Sequence, residues 1–122
     1  MPNGVMTGIK RLMHKKDIEI AQAEYASSVR QVRLQHSQAI AASREDIADQ
    51  LQMAANTIDL IIQKLRTEGD EVSSHPDYIA AHDELNSIRQ SGSQRIMELD
   101  KQLQTNLDQL KMTYTDKMNS LM

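Results

Sequence analysis

The side chains best suited to chemistry in this sequence are its four histidines, two of which lie among carboxylates. His75, Asp77, His82 and Asp83 form a local group of the donor types that bind divalent metals. Zinc ligands on one helix are usually three or four residues apart, whereas His82 lies seven residues after His75. The spacing favours helix capping and placement of the acids near a helix N-terminus, and we predict no metal, no cofactor and no catalytic residue.

Composition further limits the chemistry of this chain. It has no Cys, which excludes disulfides, thiolate metal sites and cysteine nucleophiles. It has no Phe or Trp and only three Tyr, so the large rings that anchor most globular cores and pockets are nearly absent. Leu, Ile, Ala, eight Met and many charged or amide residues are typical of long helices packed along a seam. We predict that the protein is not an enzyme.

An eleven-residue spacing of apolar side chains dominates the first half of the chain. This period corresponds to about 3.67 residues per turn and is typical of long, nearly straight helices. The polar His36 and Ser43 lie within this pattern, and we interpret them as residues that specify register; a pH-sensitive latch at His36 is the alternative. The packing residues predicted here are Ile18, Tyr25, Val29, Val32, Ile40, Ile47, Leu51, Ile58, Ile62 and Leu65.

The second half of the chain repeats this spacing. The phase is kept across Ser91-Gly92-Ser93, so we predict one helix with a soft point at 91–93. The packing residues predicted in this half are Leu85, Ile88, Ile96, Leu99, Leu103, Leu107, Leu110, Tyr114, Met118 and Leu121.

Turn signals between the two patterns define the fold. Gly69 is the expected left-handed residue after a helix, Ser74 with Asp77 approximates a capping box, and Pro76 suits a first helical turn. We predict an all-α protein, a long antiparallel two-helix hairpin with coiled-coil-like hendecad spacing, which packs with further helices in an oligomer or complex. The predicted segments are a basic amphipathic start of helix 1 at 1–17, helix 1 at 18–68, a connecting loop at 69–75 and helix 2 at 76–122.

The expected contacts follow from folding this hairpin about a midpoint near residue 72. They place Gly92 opposite Met53 and Ala54, His36 near Leu110, and Tyr114 near Val29 and Val32. Apolar residues outside the ladders are expected to widen the packing face and to recruit further helices. These are Ile20, Ala23, Leu34, Ala42, Met53, Leu60 and Ile61.

The N-terminal segment differs in charge from the rest of the chain. Residues 1–16 contain four of the fourteen basic residues and none of the seventeen acidic ones. An amphipathic helix of this kind could form the first turns of helix 1, dock in a partner groove or lie weakly on an anionic membrane. Its candidate contact residues are Val5, Met6, Ile9, Lys10, Arg11, Leu12, Met13, Lys15 and Lys16.

These features predict a non-enzymatic structural or assembly protein, a helical-hairpin rod or spacer built into a larger complex of the secretion-system or virion type. Its partners would be other proteins or further copies of the chain, in the cytoplasm or within an assembly. Nucleic acid is disfavoured because the body of the chain is acidic. The alternatives are a small chaperone or adaptor that binds a partner helix, and a peripheral membrane-surface protein that uses the basic N-terminal helix. No signal peptide or transmembrane segment is expected.

Overall fold

The fold consists of two long α-helices joined by a short connection. The computed structural model describes the backbone of residues 3–121 and the side chains of residues 14–121. Helix α1 spans Asn3–Glu68 and helix α2 spans Pro76–Leu121, and no strand occurs within residues 3–121. The all-α helical hairpin predicted from the eleven-residue spacing is therefore confirmed. Helix α2 continues through Gly92, so the triplet at 91–93 does not divide it.

The chain divides into two compact units, and each contains a stretch of α1 and a stretch of α2. The terminal unit comprises Met1–Ser37 and Asp100–Met122, and the turn unit comprises Gln38–Leu99. Side-chain burial is concentrated in the turn unit, which contains five of the six buried residues among residues 14–121, whereas Ala21 is the buried residue of the terminal unit. The five are Ser43, Ile58, Leu65, Leu85 and Gly92.

Helix α1 ends in a Schellman motif. Gly69 has a φ of 75°, a left-handed conformation that glycine adopts without a steric penalty. The N–H of Gly69 donates to the carbonyl of Arg66 at 3.2 Å, and the N–H of Asp70 donates to the carbonyl of Leu65 at 2.9 Å. These two bonds satisfy carbonyls that the end of a helix otherwise leaves without partners.

Helix α2 begins with a histidine cap. The carbonyl of His75 accepts from the N–H of Ile79 at 3.1 Å, and its Nδ1 accepts from the N–H of Asp77 at 3.1 Å. The predicted capping box of Ser74 and Asp77 is therefore wrong, because the N–H of Asp77 already donates to the imidazole of His75. Pro76 follows as the first helical residue, where its missing N–H costs little.

The register between the helices differs from the one predicted. Gly92 lies against Ile47 in the turn unit: a Cβ on residue 92 would meet Ile47 Cγ2 at 3.0 Å, so the expected contact of Gly92 with Met53 and Ala54 is wrong. In the terminal unit the ring of Tyr114 stacks on Tyr25, four and seven residues before the expected Val29 and Val32, and His36 bonds to Asp100, ten residues before the expected Leu110.

The cause of this shift is where the hairpin turns. A midpoint near residue 72 places the end of α1 level with the start of α2. Gly92 and Ile47 lie at the same level of the two helices. Pro76 is sixteen residues before Gly92, and Gln63 is sixteen residues after Ile47. Helix α2 therefore starts beside Gln63, five residues before α1 ends at Glu68. The connection must pass back alongside the last turn of α1, where Leu65 is only 2 % exposed.

Candidate interaction surfaces

The inner face of each unit contains the predicted packing residues. None of them is exposed in the structure, because the eleven-residue spacing keeps them on one side of each helix. In the turn unit, Ile58, Leu65 and Leu85 are buried, and the half-buried residues are Ile40, Ile47, Leu51, Ile62, Ile88, Ile96 and Leu99. In the terminal unit, the half-buried residues are Ile18, Tyr25, Val29, Val32, Leu103, Leu107, Leu110, Tyr114, Met118 and Leu121.

Polar side chains tie α1 to α2 at the margins of this inner face. In the turn unit, Arg95 Nη1 donates to Asp46 Oδ2 at 2.8 Å, and both side chains are about half exposed. In the terminal unit, Lys117 Nζ donates to Glu24 Oε2 at 3.2 Å. Such exposed pairs contribute little free energy, about 1 kcal/mol or less each.

His36 provides a further tie in the terminal unit. Its Nε2 lies 2.9 Å from Asp100 Oδ1, and its side chain is about 20 % exposed. With the proton on Nε2, the imidazole donates to the carboxylate across the two helices. Among residues 14–121 no buried side-chain nitrogen or oxygen lacks a hydrogen-bond partner, so the polar Ser43 and His36 are accommodated in the seam.

The apolar residues outside the ladders do not widen the inner face as expected. Leu60 is two residues from the buried Ile58, which places it about 200° around the helix and on the outer side of α1. Met53 is seven residues before Leu60 and shares this outer side, and the two are 70 % and 66 % exposed. We call Met53 and Leu60 the outer pair of the turn unit. Ile61 is half-buried, whereas Ile20, Ala23, Leu34 and Ala42 are exposed like the outer pair.

A groove of about 770 Å³ lies between the helices of the turn unit. Its floor is apolar and includes the half-buried Ile47, Leu51 and Ile96. Arg44 from α1 and Arg89 from α2 also line it. We call this the turn-unit groove, and its remaining lining residues are Ala48, Gly92, Ser93 and Met97.

Sequence reasoning missed this groove. Its signal was the adjacent pair of small residues Gly92 and Ser93, together with Ala48 one position after a ladder residue. In the predicted register Gly92 faced Met53 and Ala54, so Ala48 and Ser93 fell at different levels of the hairpin. Only the correct register brings the small residues of the two helices together.

The predicted N-terminal contact surface lies largely outside the described side chains. The backbone of residues 3–13 is helical, and Lys15 and Lys16 are exposed. Neither described helix combines the length and the apolar character that crossing a membrane requires. The predicted contact residues outside the described side chains are Val5, Met6, Ile9, Lys10, Arg11, Leu12 and Met13.

The histidine and carboxylate group at the start of α2 has structural roles. His75 caps the helix, and the ring of His82 lies edge-on to Tyr78 with 4.7 Å between ring centroids. Within residues 3–121 no group of three or more histidines or carboxylates has the geometry to hold a metal ion.

Comparison with known proteins does not connect this geometry to a family. No protein-family model, curated protein or solved structure matches the chain.

Proposed function

We propose that this protein is a non-enzymatic assembly component, a helical hairpin that binds other helices through the apolar residues left outside its own packing. The observation that carries the proposal is the outer pair. Met53 and Leu60 lie two turns apart and expose apolar side chains on the side of α1 that does not face α2. Such side chains lose contact with water when another helix covers them, at about 25 cal/mol per Å² of apolar surface.

The surface of the chain supports this proposal. Additional apolar residues are exposed beyond the outer pair: Ile20, Leu34 and Met112 in the terminal unit, and Ile79 and Met97 in the turn unit. Association with further helices would bury part of this surface.

The test is the mass of the protein in solution, measured by sedimentation equilibrium over the micromolar range. We expect species heavier than the 13.8 kDa chain, and we expect Met53→Gln/Leu60→Gln to weaken association about tenfold, equivalent to about 1.4 kcal/mol. Met112→Gln removes one equally exposed methionine from the other unit, and it should weaken association less than the double substitution does. A stable monomer that also shows no specific partner in cross-linking experiments would contradict the proposal.

A second candidate function is that of an adaptor that holds one helix of another protein. The turn-unit groove favours it, because an apolar groove between two helices fits the ridge of a third. The adaptor predicts binding that depends on groove residues, whereas assembly through the outer pair depends on Met53 and Leu60. Substitutions in the two surfaces therefore distinguish the two functions.

A further inference from the structure

The turn-unit groove combines an apolar floor with positive charge contributed by both helices. Arg44 and Arg89 line it, and no carboxylate does. Neither arginine forms an ion pair with any residue between 14 and 121. By contrast, Arg95 in the same unit is paired with Asp46. Both guanidinium groups are therefore available to pair with acidic groups of a partner, although the net charge of the chain is −3.

We propose that this groove binds an amphipathic helix of another protein whose apolar side is flanked by acidic residues. The inference rests on the adaptor form of the proposed function and names the chemistry of the partner. The partner's apolar side chains would contact Ile47, Leu51 and Ile96, and its acidic residues would pair with Arg44 and Arg89. The lining extends from Arg89 to Met97 on α2, about 12 Å at 1.5 Å per residue, so two to three turns of the partner would be in contact.

Charge argues against a second copy of this chain as the occupant. In a twofold symmetric dimer centred on the groove, the same patch meets itself. The two copies of Arg44 and the two copies of Arg89 would then lie around the same apolar floor, and the lining provides no carboxylate to pair with them. Such a like-charge arrangement costs free energy, whereas an acidic partner gains it.

Charge also argues against the basic N-terminal segment as the occupant. Residues 1–16 contain four basic residues and no acidic one. This segment would add positive charge to a groove that already contains two unpaired arginines. An acidic helix would instead place negative charge beside these arginines.

The probes are two fluorescent peptides of about 18 residues, or five helical turns. Both have the same Leu/Ile stripe; one has Glu on both flanks of the stripe, and the other has Lys. Fluorescence anisotropy with the full chain measures each affinity. We expect the Glu peptide to bind about tenfold tighter than the Lys peptide, as expected for two partly desolvated charge pairs.

Two pairs of variants test where and how the peptide binds. Ala48→Leu fills the groove from an exposed position and is expected to weaken binding of the Glu peptide at least tenfold, whereas Ala42→Leu, an exposed alanine outside the lining, is the control. Arg44→Glu/Arg89→Glu should reverse the preference between the peptides. Arg30→Glu/Arg33→Glu changes the net charge equally at exposed positions outside the groove and should leave the preference intact.

Each other outcome overturns the inference in a recognisable way. Equal binding of both peptides, blocked by Ala48→Leu, would contradict the acidic partner but keep the adaptor function. Failure of both peptides to bind would contradict the adaptor function as well. Tighter binding of a labelled single-stranded oligonucleotide than of the Glu peptide would identify a phosphate partner. Self-association abolished by Ala48→Leu would identify a second copy as the occupant.

Discussion

Gly92 lies so close to Ile47 that a methyl group on residue 92 would meet three carbon atoms of that side chain at 3.0 to 3.2 Å. The absence of a Cβ at this position lets α1 and α2 approach each other in the turn unit. Glycine in a helix otherwise costs about 1 kcal/mol relative to alanine. The close contact between the helices therefore offsets the low helix propensity of Gly92, and the difference between the two effects can be measured.

We expect Gly92→Ala to lower the free energy of unfolding by about 1 kcal/mol, because the strain of overpacking exceeds the gain in helix propensity. The sign should reverse in an Ile47→Ala background, where the three nearest contacts of the added methyl group are removed and helix propensity dominates. Urea denaturation of the four proteins in this double-mutant cycle provides the measurement. If Gly92→Ala stabilised the wild-type chain, Ile47 would have to move aside at little cost, and the contact would not limit helix approach.

The stacked tyrosines of the terminal unit supply the second prediction. The ring centroids of Tyr25 and Tyr114 are 4.5 Å apart and their planes are inclined by 18°. Aromatic pairs of this geometry contribute about 0.5–1.5 kcal/mol beyond the burial of their area. We therefore expect a coupling free energy in that range between Tyr25→Leu and Tyr114→Leu, measured by denaturation of the single and double variants. Tyr114→Phe is the control: it keeps the ring, so its coupling to Tyr25 should survive. Additive effects of the two leucine substitutions would contradict the stack.

The third prediction compares two residues of the turn unit. Leu85 is 8 % exposed, so Leu85→Ala should cost about 2–4 kcal/mol through lost burial and a residual cavity. Arg95 pairs with Asp46 at 2.8 Å, but both side chains are half exposed. We therefore expect Arg95→Ala to cost less than about 1 kcal/mol, and its cost should decrease further as salt is raised. Urea denaturation at two salt concentrations measures both effects, and equal costs for the two variants would show that ion pairing, not burial, holds this unit together.

The inner face of this protein was predictable because its information is periodic. Residues such as Ile58 and Leu85 lie on one side of a helix whatever the helix packs against, so their spacing alone predicts that they face inward. The end of α1 could also be predicted from the local sequence, since Gly69 can adopt the left-handed conformation that ends a helix.

The register could not be derived in the same way. It depends on the path of the connection, which the spacing of apolar residues within each helix does not encode. The start of α2 was mispredicted as well. The Ser74–Asp77 pattern indicates a serine cap, whereas the His75 imidazole accepts a hydrogen bond from the N–H of Asp77. The turn-unit groove was missed as a consequence, since its small residues meet only in the correct register.

The fourth prediction tests the register directly. The absence of native cysteine makes an introduced pair unique. Cγ atoms of Ile47 lie 3.0 to 3.2 Å from the Cβ position of residue 92. A Cβ and the sulfur across an S–S bond are about 3.0 Å apart in a disulfide, so Ile47→Cys/Gly92→Cys has nearly the required geometry. We expect this pair to oxidise within one chain and to raise the free energy of unfolding by up to about 4 kcal/mol, as estimated for a loop from residue 47 to 92.

The matched control for this disulfide uses the register expected from the sequence. Residue 54 is seven residues from residue 47, about 10.5 Å along α1, which exceeds the roughly 7 Å between Cα atoms that a disulfide can span. Ala54→Cys/Gly92→Cys should therefore stay reduced or form links between chains. Non-reducing electrophoresis separates these products, because an internal disulfide speeds migration while a link between chains doubles the mass. Efficient internal oxidation of the Ala54 pair, with none of the Ile47 pair, would show that the helices adopt the register expected from the sequence and that the turn-unit groove does not form.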